Sequence, residues 1–275
     1  YSPMAPNHQP HNLNAIRAVA RAWPGVVQVA CFDTAFHRSQ PRLAQLFALP
    51  RHLSDEGILR YGFHGISYQY ITNILASVAP HIANGRVIIA HLGHGASMCA
   101  IHNGRSVATT MGFTAMDGLM MGKRCGDLDP GIVLYLMQQK AMSAPEVNRL
   151  LRKQSGLLGV SGISSDMRDL IGDDGAHARE AIDLFCYRAA RQAGSLIAAL
   201  GGLDAFVFTA GIGANSPLIR ELIVARMGFA GLAIDEKANE RGDTVISAPG
   251  AKPEILVIPT NEELMIARSA ASFQE

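Results

Sequence analysis

The chain has 275 residues, 48% of them hydrophobic and 17% charged, which is enough apolar material for one large core or two modest ones and argues against a disordered chain. Its 24 Lys and Arg against 23 Asp and Glu leave no global basic field to attract nucleic acid or an anionic membrane, so an anionic ligand must be held by local geometry. Cys31, Cys99, Cys125 and Cys186 form no CxxC pair, which points away from a zinc ribbon or a disulfide framework and toward reduced thiols. No apolar run reaches the roughly 20 residues of a bilayer span, and Tyr1 to Pro10 lack the charged and apolar regions of a signal peptide. A cytoplasmic protein is expected.

Pro3, Pro6 and Pro10 read as an opening loop, and the spacing of Leu13, Ile16, Val19 and Ala20 predicts a helix that ends before Pro24. A strand is expected at Val26 to Cys31, delivering Asp33 to its C-terminal end, where open α/β sheets place ligand-binding groups. The stretch Arg86 to Thr110 reads as a three-stranded meander: Val87 to Leu92, the turn Gly93-His94-Gly95, Ala96 to Ile101, then Asn103-Gly104 as a second hairpin turn. Helices are expected at about 131–140, 144–154 and 176–200. A strand at Ala205 to Thr209, a helix after Asn215, a strand at Ile255 to Ile258 and a last helix from Asn261 complete the order. β-β-β-α-β-α-β-α predicts an α/β fold, a mixed sheet covered by helices.

Several short segments could carry chemistry, each with a structural explanation beside it. Glycines in Gly93-His94-Gly95 let backbone N–H groups converge on an anion, although a plain hairpin explains them too; no GK[ST] follows, so this is not a Walker loop. Thr209-Ala210-Gly211-Ile212-Gly213-Ala214-Asn215-Ser216-Pro217 reads as a strand-to-helix turn against which a nucleotide could lie, with Asn215 or Ser216 as cap and Pro217 at the first helical position. Arg124, in Gly122-Lys123-Arg124-Cys125-Gly126-Asp127, could aim its fork at carboxylate or phosphoryl oxygens, or pair with Asp127 or Asp129. His64 stands between glycines in Arg60-Tyr61-Gly62-Phe63-His64-Gly65. Ser164-Ser165-Asp166 and Thr260-Asn261-Glu262-Glu263 read as capped helix starts, and Glu262 could serve a Mg2+ ion directly or through water. The HxxH spacings His8/His11 and His91/His94 lack an acidic third ligand.

In order and wording these segments resemble the acetate kinase family from about Pro6 to Ala270. The resemblance runs through Val29 to His37, RYGFHG (60–65), His91-Leu92-Gly93-His94-Gly95, Met111 to Thr114, GKRCGD (122–127), Gly159 to Arg168, Phe208 to Gly213 and Ile258 to Leu264. It implies the fold of the acetate and sugar kinase/Hsc70/actin superfamily: two related ribonuclease H-like α/β domains with nucleotide between them. On this sequence that divides the chain into residues 1–36 of a truncated first domain, a complete nucleotide-binding second domain at 37–262, and a C-terminal helix at 263–275 returning to the first. The implied activity is ATP-dependent phosphorylation of acetate or a similar short carboxylate, with Mg2+, by a homodimer. Asp33 and His64 would flank the transferred phosphoryl group and Arg124 would hold its oxygens; His8 and Phe63 would join Arg124 around the substrate. His91 and Gly93, His94 and Gly95 would face the ATP phosphates. Asp166, Met167 and Arg168, with Gly211, Ile212, Gly213 and Asn215, would face the adenosine, and Glu262 the metal.

The sequence also departs from the family. His94 replaces the Asn of the usual HLGNG turn. Asn7 stands for Leu before His8, and Ala115 for Pro after Met111-Gly112-Phe113-Thr114, so a wider and more polar acyl pocket is expected, open to propionate as well as acetate. The strand, Ser-rich phosphate turn and second substrate-binding Arg that open a typical member have no counterpart before Pro6. If the chain starts here, severely impaired activity is expected.

Overall fold

A computed structural model describes residues 9–273 of the chain. Four helices come first: α1 (Gln9–Ala22), α2 (Arg42–Gln45), α3 (Arg51–Asp55) and α4 (Gly65–Val78). The meander follows as β1 (Arg86–Leu92), β2 (Ala96–His102) and β3 (Arg105–Thr109). Helices α5 (Pro130–Gln138), α6 (Ala144–Lys153), α7 (Gly156–Ser161), α8 (Met167–Ile171) and α9 (Ala176–Leu200) lead to β4 (Ala205–Thr209). The chain then forms α10 (Ala210–Asn215), α11 (Pro217–Ala225), α12 (Glu236–Arg241), β5 (Glu254–Val257) and α13 (Glu262–Ala271).

The five strands make one mixed sheet in the order β3-β2-β1-β4-β5. β2 is antiparallel to β1 and β3, whereas β4 runs parallel to both β1 and β5. Asn103 (φ 51) and Gly104 (φ 69) close the second hairpin with two positive-φ residues, the conformation that matches strand twist in a two-residue turn. The side chains of β1 alternate between two apolar layers. Ile88, Ala90 and Leu92 join Phe206 and Phe208 beneath α9, whose Phe185, Ala189 and Ala193 are buried. Val87 and Ile89 join Val207 and Leu256 beneath α4, against Tyr68, Ile71 and Leu75. Burial on both faces is why β1 and β4 read as continuous apolar runs rather than alternating ones.

Because β1, β4 and β5 are parallel, the turns after all three emerge at one edge of the sheet. Gly93 to Gly95, Ala210 to Gly213 and the segment leading to Glu262 therefore meet where α/β sheets bind ligands.

Three local expectations are corrected. Residues 26–31 belong to no strand or helix, and Val26 and Val27 are exposed: an apolar β-prone run becomes a strand only where another edge accepts its hydrogen bonds. α1 includes Pro10, because a proline in the first turn removes only an N–H that has no helical partner. Residues 210–215 of the expected strand-to-helix turn form a short helix of their own, α10, and Ser216, not Asn215, caps α11 by accepting from Ile219 N with Pro217 behind it. No helix among the described residues is long and apolar enough to cross a membrane.

Candidate active site

The site is built outward from Asp33. Its carboxylate accepts from His64 N at 2.8 Å and from Ile66 N at 3.3 Å, and its carbonyl accepts from Gly65 N at 2.9 Å. Asp33 thus caps α4 from a distant part of the chain, its charge set against the positive end of the helix. The fit demands glycine: a Cβ on Gly65 would lie 2.1 Å from Asp33 O. His64, the residue preceding α4, is left-handed (φ 57, ψ 25), which turns its ring off the helix toward the sheet edge.

The His64 ring stacks on His91 with centroids 4.1 Å apart and planes 16° from parallel. Its Nδ1 is 2.8 Å from Ser97 Oγ, and that hydroxyl is in turn hydrogen-bonded to Tyr68 OH. His91 Nδ1 is 2.9 Å from Ser67 Oγ, which donates to Thr260 Oγ1 at 2.9 Å. Burial, reinforced by His64, pushes the His91 imidazole well below its ordinary pKa, so His91 stays neutral and stacks without adding charge. Sequence reading missed Ser97, Tyr68, Ser67 and Thr260. A serine in an otherwise apolar buried strand and a Ser-Tyr pair on the buried face of a helix are the signals that could have found them.

Arg124 reaches the same point from the other side. Its Nη1 donates to Ala115 O at 2.7 Å, and it forms no ion pair with Asp127 or Asp129. Burial, and then the nearby Arg152, lower the pKa of the guanidinium. A Cβ built on Gly95 would lie 3.3 Å from His64 Nε2 and 3.7 Å from Arg124 Nη2, so the second glycine of the turn marks where histidine and guanidinium converge. A Cβ on Gly93 would lie 3.7 Å from Ala210 Cβ and 3.9 Å from Gly211 N, which sets the two glycine segments side by side.

Glu262, at the start of α13, is half-buried, and burial followed by the charge of Asp33 raises its pKa. A carboxylate raised by the charge of a second one beside it belongs to a donor set that a hard divalent ion relieves. Mg2+ is commonly bound by one or two carboxylates with phosphate oxygens completing the shell, so these residues fit it.

The remaining candidates surround this centre. Asp166 caps α8 and pairs with Arg168 at 2.6 Å, which holds its carboxyl down to about 2; His94 adds to that field. Met167 turns into the core. The Phe63 ring packs against the main core while its carbonyl accepts from His37 Nε2 at 3.0 Å. Ile212 also leans on the core, and Asn215 Nδ2 donates to Gly211 O at 2.9 Å. Arg220, fully buried in an apolar helix, ties down Gly213 O, Ala214 O and Asn239, and so fixes α10 beside the first glycine turn; nothing in its sequence context singled it out. His8 and Asn7 lie outside the described residues.

Residues 1–268 match the family model described as the acetokinase family. The chain belongs to the acetokinase family. An acetate kinase of Rhodopseudomonas palustris strain TIE-1 is 58% identical over 268 residues, which is 96% of this chain and 67% of that protein. Among solved structures, Porphyromonas gingivalis acetate kinase superposes with a TM-score of 0.92 at 40% identity, covering 100% of this chain and 71% of its own. A propionate kinase from Francisella tularensis gives 0.93 at 39% identity, over 98% of this chain and 70% of its own. The fold is therefore the acetate kinase fold that the motifs implied, and the chain spans about two thirds of the length of such relatives. The reaction class that comes with the acetokinase family is phosphoryl transfer from ATP to a carboxylate.

Proposed function

We propose that this chain reversibly transfers a phosphoryl group from ATP to acetate or a similar short carboxylate, giving an acyl phosphate and ADP, with Asp33, His64 and Arg124 as the reacting centre. The observation that carries this reading is the convergence of His64 Nε2 and Arg124 Nη2 on Gly95, with Asp33 bound to the His64 backbone. A carboxylate nucleophile is already ionised, so the protein needs to align the reactants and to meet charge on the equatorial oxygens. Arg124 keeps donors beyond those given to Ala115 and Met121, in the planar fork that suits two oxygens. Ser97 Oγ, itself bonded to Tyr68 OH, engages His64 Nδ1 and so holds the ring with Nε2 near the Gly95 turn. Asp33 and Glu262 would hold Mg2+, which supplies neutralisation of phosphate charge when bound.

The glycine segments, His91, His94 and the Asp166–Arg168 turn are assigned to nucleotide, and Phe63 and His8 to the substrate side. Residues 1–36 and 263–275 are assigned to the first domain, in keeping with an α1 that buries none of its residues. Ile132, Leu134, Tyr135 and Met137 are exposed on α5, which supports a homodimer. A cytoplasmic location belongs to the same reading.

A hydroxamate assay with acetate, propionate and butyrate tests the proposal. Acyl phosphate above background on at least one acid is expected. Nucleotide binding with no turnover on any acid would leave a nucleotide-binding protein and reject the kinase reading for this chain.

A further inference from the structure

Beside Arg124 opens a cavity of about 360 Å³ lined by His94, Lys123, Arg124, Arg152 and Lys153. Four of the five are permanent cations, and no carboxylate among the described residues lines the cavity. Arg152 and Lys153, the basic residues of the last turn of α6, arrive there through a close crossing of backbones. Cys125 N donates to Leu151 O, Ser155 N to Lys123 O, Leu157 N to Met121 O and Leu158 N to Gly122 O, at 2.9 to 3.1 Å. Gly156 (φ +65) makes the crossing possible, since a Cβ there would lie 2.1 Å from Met121 O. The C-terminal end of α6 is thereby laid against the Arg124 loop, and Arg152 and Lys153 face Lys123 across the cavity.

Among the described residues these charges are unanswered. None of Lys123, Arg124, Arg152 and Lys153 takes part in an ion pair among the described residues, and Arg152 spends its Nε on Asn148 one turn back in its own helix. Asp166, a carboxylate that senses His94, is committed to Arg168. Cations gathered around a common space without counter-charge repel one another, a cost that a bound polyanion removes. The volume lies in the range of small-molecule sites. Arg152 and Lys153 fall in none of the segments that carry the family resemblance, so the motifs give them no role.

We propose that Lys123, Arg152 and Lys153 extend the reacting centre into a binding wall for a chain of phosphates, held between Arg124 and the end of α6. The inference rests on the proposed kinase reading and adds to it: the wall takes the outer phosphates of the nucleotide, and its contribution grows with the number of phosphates. Inorganic tripolyphosphate has the same chemistry without the nucleoside, so it competes for the same wall.

Calorimetric titration of the intact chain with ATP, ADP, AMP and inorganic tripolyphosphate tests this, comparing the unaltered protein with the triple variant K123Q/R152Q/K153Q. Loss of several charge-assisted hydrogen bonds should weaken ATP by roughly 10-fold or more and ADP by less, while AMP changes by about 2-fold at most. Tripolyphosphate should displace ATP from the unaltered protein and lose its own binding in the variant. The charge-conserving variant K123R/R152K/K153R should keep the ATP-to-AMP affinity ratio, which separates lost charge from damaged folding. An unchanged ratio in the triple variant, equal losses for ATP and AMP, or tripolyphosphate that binds without displacing ATP would each overturn the wall. If the unaltered protein binds nucleotide and makes acyl phosphate while the ratio stays fixed, the wall alone fails. If it binds no nucleotide, the kinase reading fails first.

Discussion

The two sides of the candidate site are organised on opposite principles. On the Asp33 side the polar groups are tied to one another: carboxylate to helix N-terminus, His64 to Ser97 and Tyr68, His91 to Ser67 and Thr260. On the Arg124 side the cations of Lys123, Arg152 and Lys153 face a cavity without ion pairs among the described residues. The first side fixes geometry before a ligand arrives; the second keeps charge in reserve for the ligand to neutralise. A phosphotransferase needs both, because aligned reactants without charge neutralisation, or charge without alignment, leave most of the barrier in place.

The comparison can be broken most sharply at Arg124, which belongs to both sides. Arg124→Ala should lower acyl phosphate formation by about 100- to 1,000-fold and ATP affinity by far less, because Arg124 meets the substrate and transition-state oxygens while Lys123, Arg152 and Lys153 share the nucleotide phosphates with it. Steady-state rates beside calorimetric ATP binding read the two effects, and an unchanged rate would remove Arg124 from the mechanism. Next in size is the crossing that builds the charged side. Gly156→Ala puts a methyl group on the Met121 carbonyl at positive φ, so a loss of about 2 to 4 kcal/mol in denaturant stability is expected. Stability within about 0.5 kcal/mol of the parent would show that the backbones do not cross so tightly.

Glu262 sharpens the ordered side. Its pKa is raised, so its ionisation works against the folded state: the corresponding stability is present below its ordinary value and is lost as pH rises through the raised one. Glu262→Gln should therefore raise the melting temperature slightly at pH 7 without Mg2+, lose that advantage near pH 4, and weaken the dependence of turnover on Mg2+. Thermal scans at both pH values check this, and a melting temperature lowered at pH 7 would count against the carboxylate pair. The smallest effect is expected at His94. His94→Asn restores the usual residue of the turn and should leave ATP affinity within about 3-fold of the parent or better; a large loss would give His94 a function of its own.

The sequence made the sheet legible where periodicity and turn chemistry agreed, as in the meander with its Asn103-Gly104 turn and the buried runs of β1 and β4. It misread residues 26–31 because β propensity does not say whether a neighbouring edge is available, and it read α10 as a plain strand-to-helix turn because two glycines mask a short helix. α4 was passed over altogether: its cap is Asp33, 32 residues before its first helical residue Gly65, and no local window contains both. The same limit explains the site. Asp33, His64 and Arg124 stood out through their wording, but Arg152 and Lys153 look like an ordinary basic helix end until Gly156 folds them over the Arg124 loop. Ser97 and Tyr68 look like core residues until the turn of His64 brings its ring to them.

The central claim is that the transferred phosphoryl group sits at His64 Nε2. Long-range 1H–15N NMR of the histidine side chains during titration with acetyl phosphate measures this directly. The account predicts that the His64 Nε2 resonance moves with saturation while the His91 nitrogens, neutral and buried, keep their shifts. A His64 Nε2 signal that stays in place, in a sample that is turning over acyl phosphate, would contradict it.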